Sequence, residues 1–400
     1  SNTSHHTENV ESIETPDDYT VKFTLKEPDA AFLVKLANNS FAIVDSEVVK
    51  EHGGTDAEDA SSKDTAEKWL NANSAGSGAY VLDKWKQNEE LSLTKNDDYW
   101  GEVKNDKVIC KEIPDVNTQI QMLKQGDIDI ALGISVDNVS QLKDQEGVKI
   151  KNYVGSTTTF LLMNQDEKIG GPMANPKVQQ AVRKAINYKE LLEISGDEAV
   201  LPLDIVPKGF IGGLEKDKNY QNIEEAKKLM EEAGYKDGFE VKFTVANFDT
   251  EGMSWTTLGQ KIKDDLEKIG INAKIETSEI GVVIDSYREG KEAFLLMHWH
   301  PDYMDINNQL VFLPGDTVGE RAKWTDTSNT KMAELKQTIQ TESDEGKRKA
   351  ASEELQKLLA DDMPYAFLVQ HPKVLAYRDN LKGVDYFEVQ KINFQNVSIN

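Results

Sequence analysis

The sequence predicts an α/β protein of two lobes, with mixed sheets flanked by helices. The chain has 400 residues, a length that exceeds what one compact core usually organises. Strand–helix–strand patterns occur in two separate stretches, 107–134 and 240–299. Because each pattern implies parallel strands joined by a right-handed crossover, two separated groups favour two α/β lobes over a single domain.

The elements of the first lobe are short. Residues 21–25 alternate apolar and polar side chains as a half-buried strand does, after a turn signal at 16–18. A polar helix over 57–73 and strands over 79–85 and 90–95 follow. The first strand–helix–strand unit then comprises a strand at 107–113, a helix at 116–124 that stops at Gly126, and a strand at 128–132.

The second lobe contains the longer strand–helix–strand group. Its elements, in order, are a strand at 240–246, a helix at 254–269 closed by Gly270, a strand at 271–277, a helix at 282–289 and a strand at 293–299. Further helices are predicted over 176–195, 223–233 and 330–360. The β-rich apolar stretches 153–164 and 365–377 flank this lobe, so we expect them to be hinge strands.

Composition excludes several classes of protein. The 70 Asp and Glu residues exceed the 46 Lys and Arg residues, giving a formal charge of -24, which repels nucleic acids and anionic lipid surfaces. A single cysteine, Cys110, excludes an internal disulfide framework, a cysteine-based zinc site and a CxxC redox pair, and we expect it to be a buried structural residue. No apolar run is long enough to span a bilayer.

Catalytic and cofactor motifs are not found in the sequence. It contains no GxSxG elbow, no HExxH, no Walker-type phosphate loop and no GxGxxG following a strand. Acidic pairs are plentiful, but in so acidic a chain their adjacency carries little information. The sequence therefore predicts a protein that is not an enzyme and has no cofactor.

Four motifs follow one another along the chain. They are 10–28 (VESIETPDDYTVKFTLKEP), 76–80 (GSGAY) with 96–101 (NDDYWG), 117–130 and 175–187. In this order they resemble the bacterial extracellular solute-binding proteins of family 5, which include peptide and nickel receptors of ABC importers. The first motif is similar to the family's strand entry and the second to its "GTGPY … N.DYWG" signature, while in the last motif Gln179 replaces a usual arginine. The likeness extends over nearly the whole chain.

The resemblance implies a type II periplasmic-binding-protein-like fold that closes two lobes around a solute. It predicts lobe I as residues 1–153 plus 377–400 and lobe II as residues 154–376. Family members carry a further N-terminal part, so we expect lobe I to be incomplete here. The implied partners are a small-molecule or peptide ligand and the membrane permease of an ABC importer, with no nucleic acid. A monomer is expected on the extracellular side of the cytoplasmic membrane, in the periplasm or as a lipid-anchored lipoprotein.

The segment 298–308 is the strongest candidate for a ligand site. It follows the predicted strand 293–299, and ligands of open α/β sheets bind beyond the carboxyl ends of strands. Trp299 offers a flat apolar wall, and Asp302 offers a carboxylate for a cation. In peptide-binding family members, a Trp and an Asp at this spacing line the pocket, and the Asp holds the peptide's α-amino group. Tyr303 and Asp305 match the continuation of that pattern.

Alternative ligands remain open at this stage. His298 and His300 lie two residues apart, so on one strand face they line a polar cleft or, with Asp302, ligate a transition metal. Thr158 and Phe160, in a candidate hinge strand, are further predicted ligand contacts. The leading hypothesis is a receptor for short peptides or other amine-bearing solutes. A nickel or metal-chelate receptor, an oligosaccharide receptor and, more remotely, a cleft hydrolase are the alternatives.

Overall fold

The described residues form two compact units. The structure is a computed structural model that describes residues 7–57, 59–196, 198–389 and 391–400. The larger unit contains the described residues up to Leu36 together with Asn152–Lys373, and the smaller unit contains Ala37–Lys151 with Val374–Asn400. This division differs from the predicted lobes chiefly at the N-terminus, because the described residues up to Leu36 group with the larger unit.

The strands are distributed along the whole chain. They are β1 Val10–Asp17, β2 Thr20–Leu25, β3 Tyr80–Lys86, β4 Glu90–Lys95, β5 Lys107–Lys111, β6 Ile130–Leu132, β7 Val148–Met163, β8 Phe239–Asn247, β9 Asp249–Thr250, β10 Met253–Ser254, β11 Ile271–Glu279, β12 Phe294–Trp299, β13 Tyr365–Arg378, β14 Leu381–Lys382, β15 Tyr386–Phe387, β16 Lys391–Ile392 and β17 Ser398–Ile399.

The α-helices are longest in the larger unit. They are α1 Phe32–Lys35, α2 Ser46–Glu51, α3 Ala60–Lys63, α4 Glu67–Leu70, α5 Val116–Gln125, α6 Val136–Val139, α7 Glu167–Gly170, α8 Pro176–Ala185, α9 Tyr188–Ser195, α10 Ile223–Glu232, α11 Trp255–Glu267, α12 Ile280–Arg288, α13 Thr317–Arg321, α14 Thr330–Thr341 and α15 Glu345–Asp362. In the described chain, no helix is both long and apolar enough to cross a membrane.

A mixed sheet organises the larger unit, with strand order β11-β8-β12-β7-β13. Strands β11 and β12 are both parallel to β8, as the 240–299 pattern predicted, whereas β7 runs antiparallel to β12. Helix α11 connects β8 to β11 and packs on both. At the start of these strands, Gly238 has φ +77°, and a Cβ there would lie 2.1 Å from the carbonyl oxygen of Gly270. Glycine at this position therefore allows the two parallel strands to start side by side.

The core of the larger unit is rich in aromatic side chains. Phe160 on β7 and Tyr365 and Phe367 on β13 are 0 % exposed. The Phe160 ring contacts Phe312, Tyr365 and Phe367 at centroid distances of 5.3, 5.9 and 5.4 Å. Edge-to-face and offset aromatic contacts of this kind stabilise a core beyond the area that they bury. The cluster therefore joins the two long strands to the segment that follows β12.

The smaller unit has a different sheet and its own core. Strands β3, β4 and β5 form an antiparallel meander, while β6 pairs antiparallel with the C-terminal end of β13. Helix α5 ends at Gly126, which has φ +82°, as predicted. Its buried residues Ile120 and Leu123 pack with Leu142 in the core of this unit. Cys110 on β5 is only partly buried, and burial raises the pKa of its thiol.

The predicted parallel unit at 107–134 is wrong. Its strand, helix and strand exist as β5, α5 and β6, but β5 and β6 lie in different sheets. The physical reason is that β5 extends the β3–β4 hairpin, while three-residue β6 pairs with β13. Hydrophobic periodicity identifies a strand, but partners distant in the chain decide its pairing.

Two long predicted helices are each divided by a capping residue. The helix predicted over 176–195 breaks before α9, where the Asn187 side chain accepts from the backbone N–H of Glu190. The helix predicted over 330–360 breaks before α15, where Asp344 accepts from the N–H of Lys347. Both residue types favour caps over helix interiors. Asn175 likewise caps the start of α8, since its side chain accepts from the N–H of Lys177.

Candidate functional site

The end of β12 brings four of the predicted site residues together. In the β12–β7 register, Trp299 lies opposite Thr158 and His298 lies opposite Thr159. One residue further, His300 Nδ1 lies 3.1 Å from the hydroxyl of Thr157. The strand end therefore presents an indole, two imidazoles and a row of threonine hydroxyls within the larger unit.

Trp299 combines core packing with an unpaired polar group. Its ring is partly buried and meets Phe312 edge to face at 5.4 Å. Among the described residues, neither the buried Trp299 Nε1 nor the buried Thr158 Oγ1 has a hydrogen-bond partner. Buried polar groups are hydrogen-bonded in the great majority of cases, so these two atoms on adjacent strands are candidate contacts for polar atoms of a ligand.

The loop after β12 carries the two candidate residues Asp302 and Tyr303. Asp302 is exposed, whereas Tyr303 is only 5 % exposed. Burial raises the pKa of the Tyr303 phenol, and the neighbouring carboxylates Asp305 and Asp29 act in the same direction. The loop therefore presents an accessible carboxylate beside a neutral, buried ring.

Asp305 has a structural partner that the sequence did not reveal. Its oxygens accept from Arg348 Nη2 at 2.6 Å and Nη1 at 3.1 Å, and both side chains are nearly inaccessible. One oxygen also accepts from the backbone N–H of Asn307. Asp305 therefore anchors the loop to α15, and its role as a ligand contact stays a prediction.

Phe160 is likewise a core residue. Its ring is fully buried in the aromatic cluster, and residues 156–163 of β7 are buried throughout. Thr158 is 1 % exposed, but its hydroxyl is one of the two unpaired atoms described above. We therefore keep Thr158 as a candidate ligand contact and assign Phe160 to the packing beneath the site.

A hydrogen-bond chain fixes the His298 imidazole. The Trp255 indole N–H donates to Thr250 Oγ1 at 2.8 Å, and Thr250 Oγ1 lies 2.9 Å from His298 Nδ1. Thr250 is 4 % exposed, so its own proton needs an acceptor, and Nδ1 is the neighbour that can accept it. This pattern assigns the neutral tautomer protonated at Nε2, so His298 presents an N–H donor.

Burial keeps two histidines of this region neutral. It lowers the pKa of His298 to about 4 and that of His371 to about 3, with smaller effects in the same direction from nearby positive groups. His371 on β13 is bonded through Nε2 to the Thr159 hydroxyl. Neither ring therefore adds a positive charge to the site near neutral pH.

Replacing His298 with glutamine is expected to reduce the acid sensitivity of folding. As pH falls from 6.5 towards 4, the unfolded chain protonates His298 whereas the folded chain does not, so stability is lost across that window. Each pH unit contributes at most about 1.4 kcal/mol for one such group. Urea denaturation of wild type and His298→Gln at pH 7 and pH 4.5 measures the difference. Equal losses in both proteins would contradict the assignment.

A metal site at His298 and His300 receives no support from the geometry. Across the described ranges, no group of three or more His, Cys, Asp or Glu side chains is placed to hold a metal ion. The Nδ1 atoms of both rings lie within hydrogen-bonding distance of threonine hydroxyls.

Sequence reasoning missed the polar residues of the β9–β10 hairpin. Its turn holds Glu251 at φ 51° and Gly252 at φ 78°, and Glu251 forms an ion pair with Lys373 of β13. A non-glycine residue at positive φ is uncommon and often marks a site under constraint. The dipeptide Glu-Gly between two short β segments was the available signal for this turn.

Comparisons with known proteins find similarity to bacterial solute-binding proteins. A family model described as "Bacterial extracellular solute-binding proteins, family 5 Middle" matches residues 1–321. The "Probable D,D-dipeptide-binding periplasmic protein DdpA" of Escherichia coli strain K12 is 27 % identical over 375 residues, covering 93 % of this chain and 70 % of that protein. "Di/tripeptide-binding protein 2" of Pseudomonas aeruginosa is 25 % identical, covering 98 % of this chain and 72 % of its own length.

A solved structure extends the likeness to three dimensions. The "ABC transporter-associated periplasmic binding protein DppA" from Helicobacter pylori, in complex with the peptide STSA, superposes with a TM-score of 0.80 at 26 % identity. The match covers 98 % of this chain and 74 % of the other.

Proposed function

This chain belongs to family 5 of the bacterial extracellular solute-binding proteins, and from that membership we propose that it is the peptide receptor of an ABC importer. Family 5 proteins are receptors that bind solutes outside the cell, not enzymes. The finer assignment, to short peptides with a free α-amino group, rests on the site at the end of β12.

The observation that carries the proposal is the spacing of Trp299 and Asp302. The partly buried indole lies at the carboxyl end of β12, and the exposed carboxylate follows three residues later on an anchored loop. A carboxylate that becomes desolvated on binding forms strong charge-assisted hydrogen bonds with an ammonium group. The unpaired Trp299 Nε1 supplies a donor for a peptide carbonyl oxygen.

Relatives support a peptide as the cargo. The names of the Escherichia coli and Pseudomonas aeruginosa proteins specify di- and tripeptides, and the Helicobacter pylori structure holds a tetrapeptide. We extend this ligand class to the present chain. We further propose that it acts as a monomer and delivers the peptide to the membrane permease, from the periplasm or from a lipid-anchored position on the cell surface.

Replacing Asp302 with asparagine is expected to weaken binding of free-amine peptides by roughly tenfold to a hundredfold, since a hydrogen bond to a charged group contributes about 1.5–3 kcal/mol. Titration calorimetry with a panel of di- and tripeptides, each also as its N-acetyl form, measures the effect. Acetylation should weaken binding to wild type by a similar factor and have little further effect on Asp302→Asn.

The matched control is Asp285→Asn on α12, an exposed carboxylate 3.9 Å from Arg288. This variant should bind the panel as wild type does. If Asp302→Asn also binds the peptides as wild type does, the amine anchor is wrong. If wild type binds none of them, the peptide assignment itself fails.

A further inference from the structure

The segment Lys26–Leu36, here termed the N-terminal arm, is part of the larger unit. The backbone N–H of Ala30 donates to the carbonyl oxygen of Gln340 at 2.9 Å, at the end of α14. Ala31 is 0 % exposed. A backbone hydrogen bond therefore joins the arm to α14, which is distant from it in sequence.

A buried ion pair belongs to this arm. Lys35 Nζ lies 2.6 Å from Asp29 Oδ2, and the two side chains are 11 % and 5 % exposed. The other Asp29 oxygen accepts from the backbone N–H of Ala31 at 2.9 Å. Lys35 thus holds a fixed position, because its partner is itself fixed by the backbone of the arm.

Lys35 also contacts the candidate ligand loop. Its Nζ lies 5.7 Å from the centroid of the Tyr303 ring, within the range of a cation–π interaction. Tyr303 directly follows Asp302 and is itself buried. The arm therefore reaches the residue next to the carboxylate that we assign to the ligand amine.

The loop has a second support, and it contacts the same turn of α14 as the arm does. Arg348, which holds Asp305, donates through Nε to the carbonyl oxygen of Ile339 at 2.9 Å. The neighbouring carbonyl, of Gln340, accepts from Ala30 of the arm. The loop is thus held at Tyr303 and at Asp305 by two basic side chains, and both supports converge on adjacent carbonyls of the same helix end.

We propose that Lys35 is a positioning residue for peptide binding, and that the N-terminal arm holds the loop 300–305 so that Asp302 meets the ligand's amino group. This inference rests on the proposed function. Lys35 does not touch the ligand; it acts through Tyr303. Its contact fixes the backbone directly after Asp302, and the Arg348 pair fixes it again at Asp305. Preorganising a binding group in this way raises affinity by lowering the ordering cost of association.

The test removes the pair without leaving a buried charge alone. The double variant Asp29→Asn/Lys35→Met replaces both charges by neutral side chains of similar size, and Lys35→Arg serves as the conservative rescue. The matched control is Asp316→Asn/Lys336→Met, an ion pair of 2.7 Å that also involves α14. Each protein is combined with Asp302→Asn, and affinity is measured for the tightest free-amine peptide of the panel above and for its N-acetyl form.

The arm variant is expected to weaken binding of the free-amine peptide by roughly threefold to thirtyfold, the usual size of coupling through an intermediate residue. The N-acetyl form should be unaffected, and the loss should vanish in the Asp302→Asn background. The single variant Lys35→Arg, which keeps a positive charge beside Asp29, should retain most of the wild-type affinity for the free-amine peptide. Equal losses for both ligand forms, additive effects with Asp302→Asn, or the same loss in the control would overturn the proposal.

A second readout needs no ligand. Hydrogen–deuterium exchange of the backbone amides in residues 300–305 should accelerate in the arm variant and not in the control, because a loop that loses a brace opens more often. Unchanged exchange would reject the bracing role whatever the peptides do. Faster exchange combined with no peptide binding by wild type would contradict the proposed function and leave the brace supported.

Discussion

Replacing Arg348 with methionine is expected to lower the free energy of unfolding by about 3–5 kcal/mol, the usual cost of leaving one member of a buried ion pair alone. Methionine keeps much of the volume but removes both hydrogen bonds to Asp305 and the donor to Ile339. The Asp305 carboxylate would remain in a nearly inaccessible position without its positively charged partner. Urea denaturation of wild type and variant at neutral pH measures the loss.

Lys349→Met on the same helix is the matched control for Arg348. Its ammonium lies 3.9 Å from Glu353, and its side chain is 62 % exposed, so its removal should change stability by less than about 0.5 kcal/mol. If the two variants lose similar stability, the Asp305–Arg348 pair is not the anchor that its geometry suggests. The double variant Asp305→Asn/Arg348→Met should recover part of the loss, because no charge is then buried alone.

Replacing Phe160 with alanine is expected to reduce the free energy of unfolding by about 3–5 kcal/mol, through lost burial and the cavity that remains. The ring is fully buried and touches three other aromatic rings at 5.3–5.9 Å. Thermal and urea denaturation measure the change, and peptide affinity is measured under conditions where the variant is fully folded.

The comparison that decides the role of Phe160 is between stability and affinity. As a packing residue, Phe160→Ala should lose stability while its folded form binds peptide within a few-fold of wild type. Phe387→Ala, at a ring that is 41 % exposed, should lose much less stability. A large loss of affinity with little loss of stability would restore Phe160 to the ligand site.

The parts of the fold that follow from local pattern were predictable. The β8–α11–β11 unit was predicted with its parallel pairing because an amphipathic helix and a glycine stop separate two apolar strands over a short span. The unit at 107–134 shows the limit of that reasoning. Its β6 has only three residues, and nothing in so short a strand specifies whether it joins β5 or the distant β13.

The candidate site was likewise predictable only where it depends on local sequence pattern. The position of Trp299 and Asp302 after a buried strand was visible in the sequence, and the structure places them at the carboxyl end of β12. Their supports were not visible. Arg348 lies 43 residues from Asp305, and Lys35 and Thr250 contact residues that come much later in the chain. No local pattern marks side chains whose partners are chosen by the tertiary fold.

The hydrogen bond between Ala30 and Gln340 affects folding during synthesis. The partner of Ala30 lies near the end of α14, so a chain emerging from the ribosome or a translocation pore leaves this contact unmade until α14 has followed. Such long-range closure slows folding and keeps apolar surface exposed in the meantime. Folding of the larger unit should therefore be completed only after α14 has been synthesised.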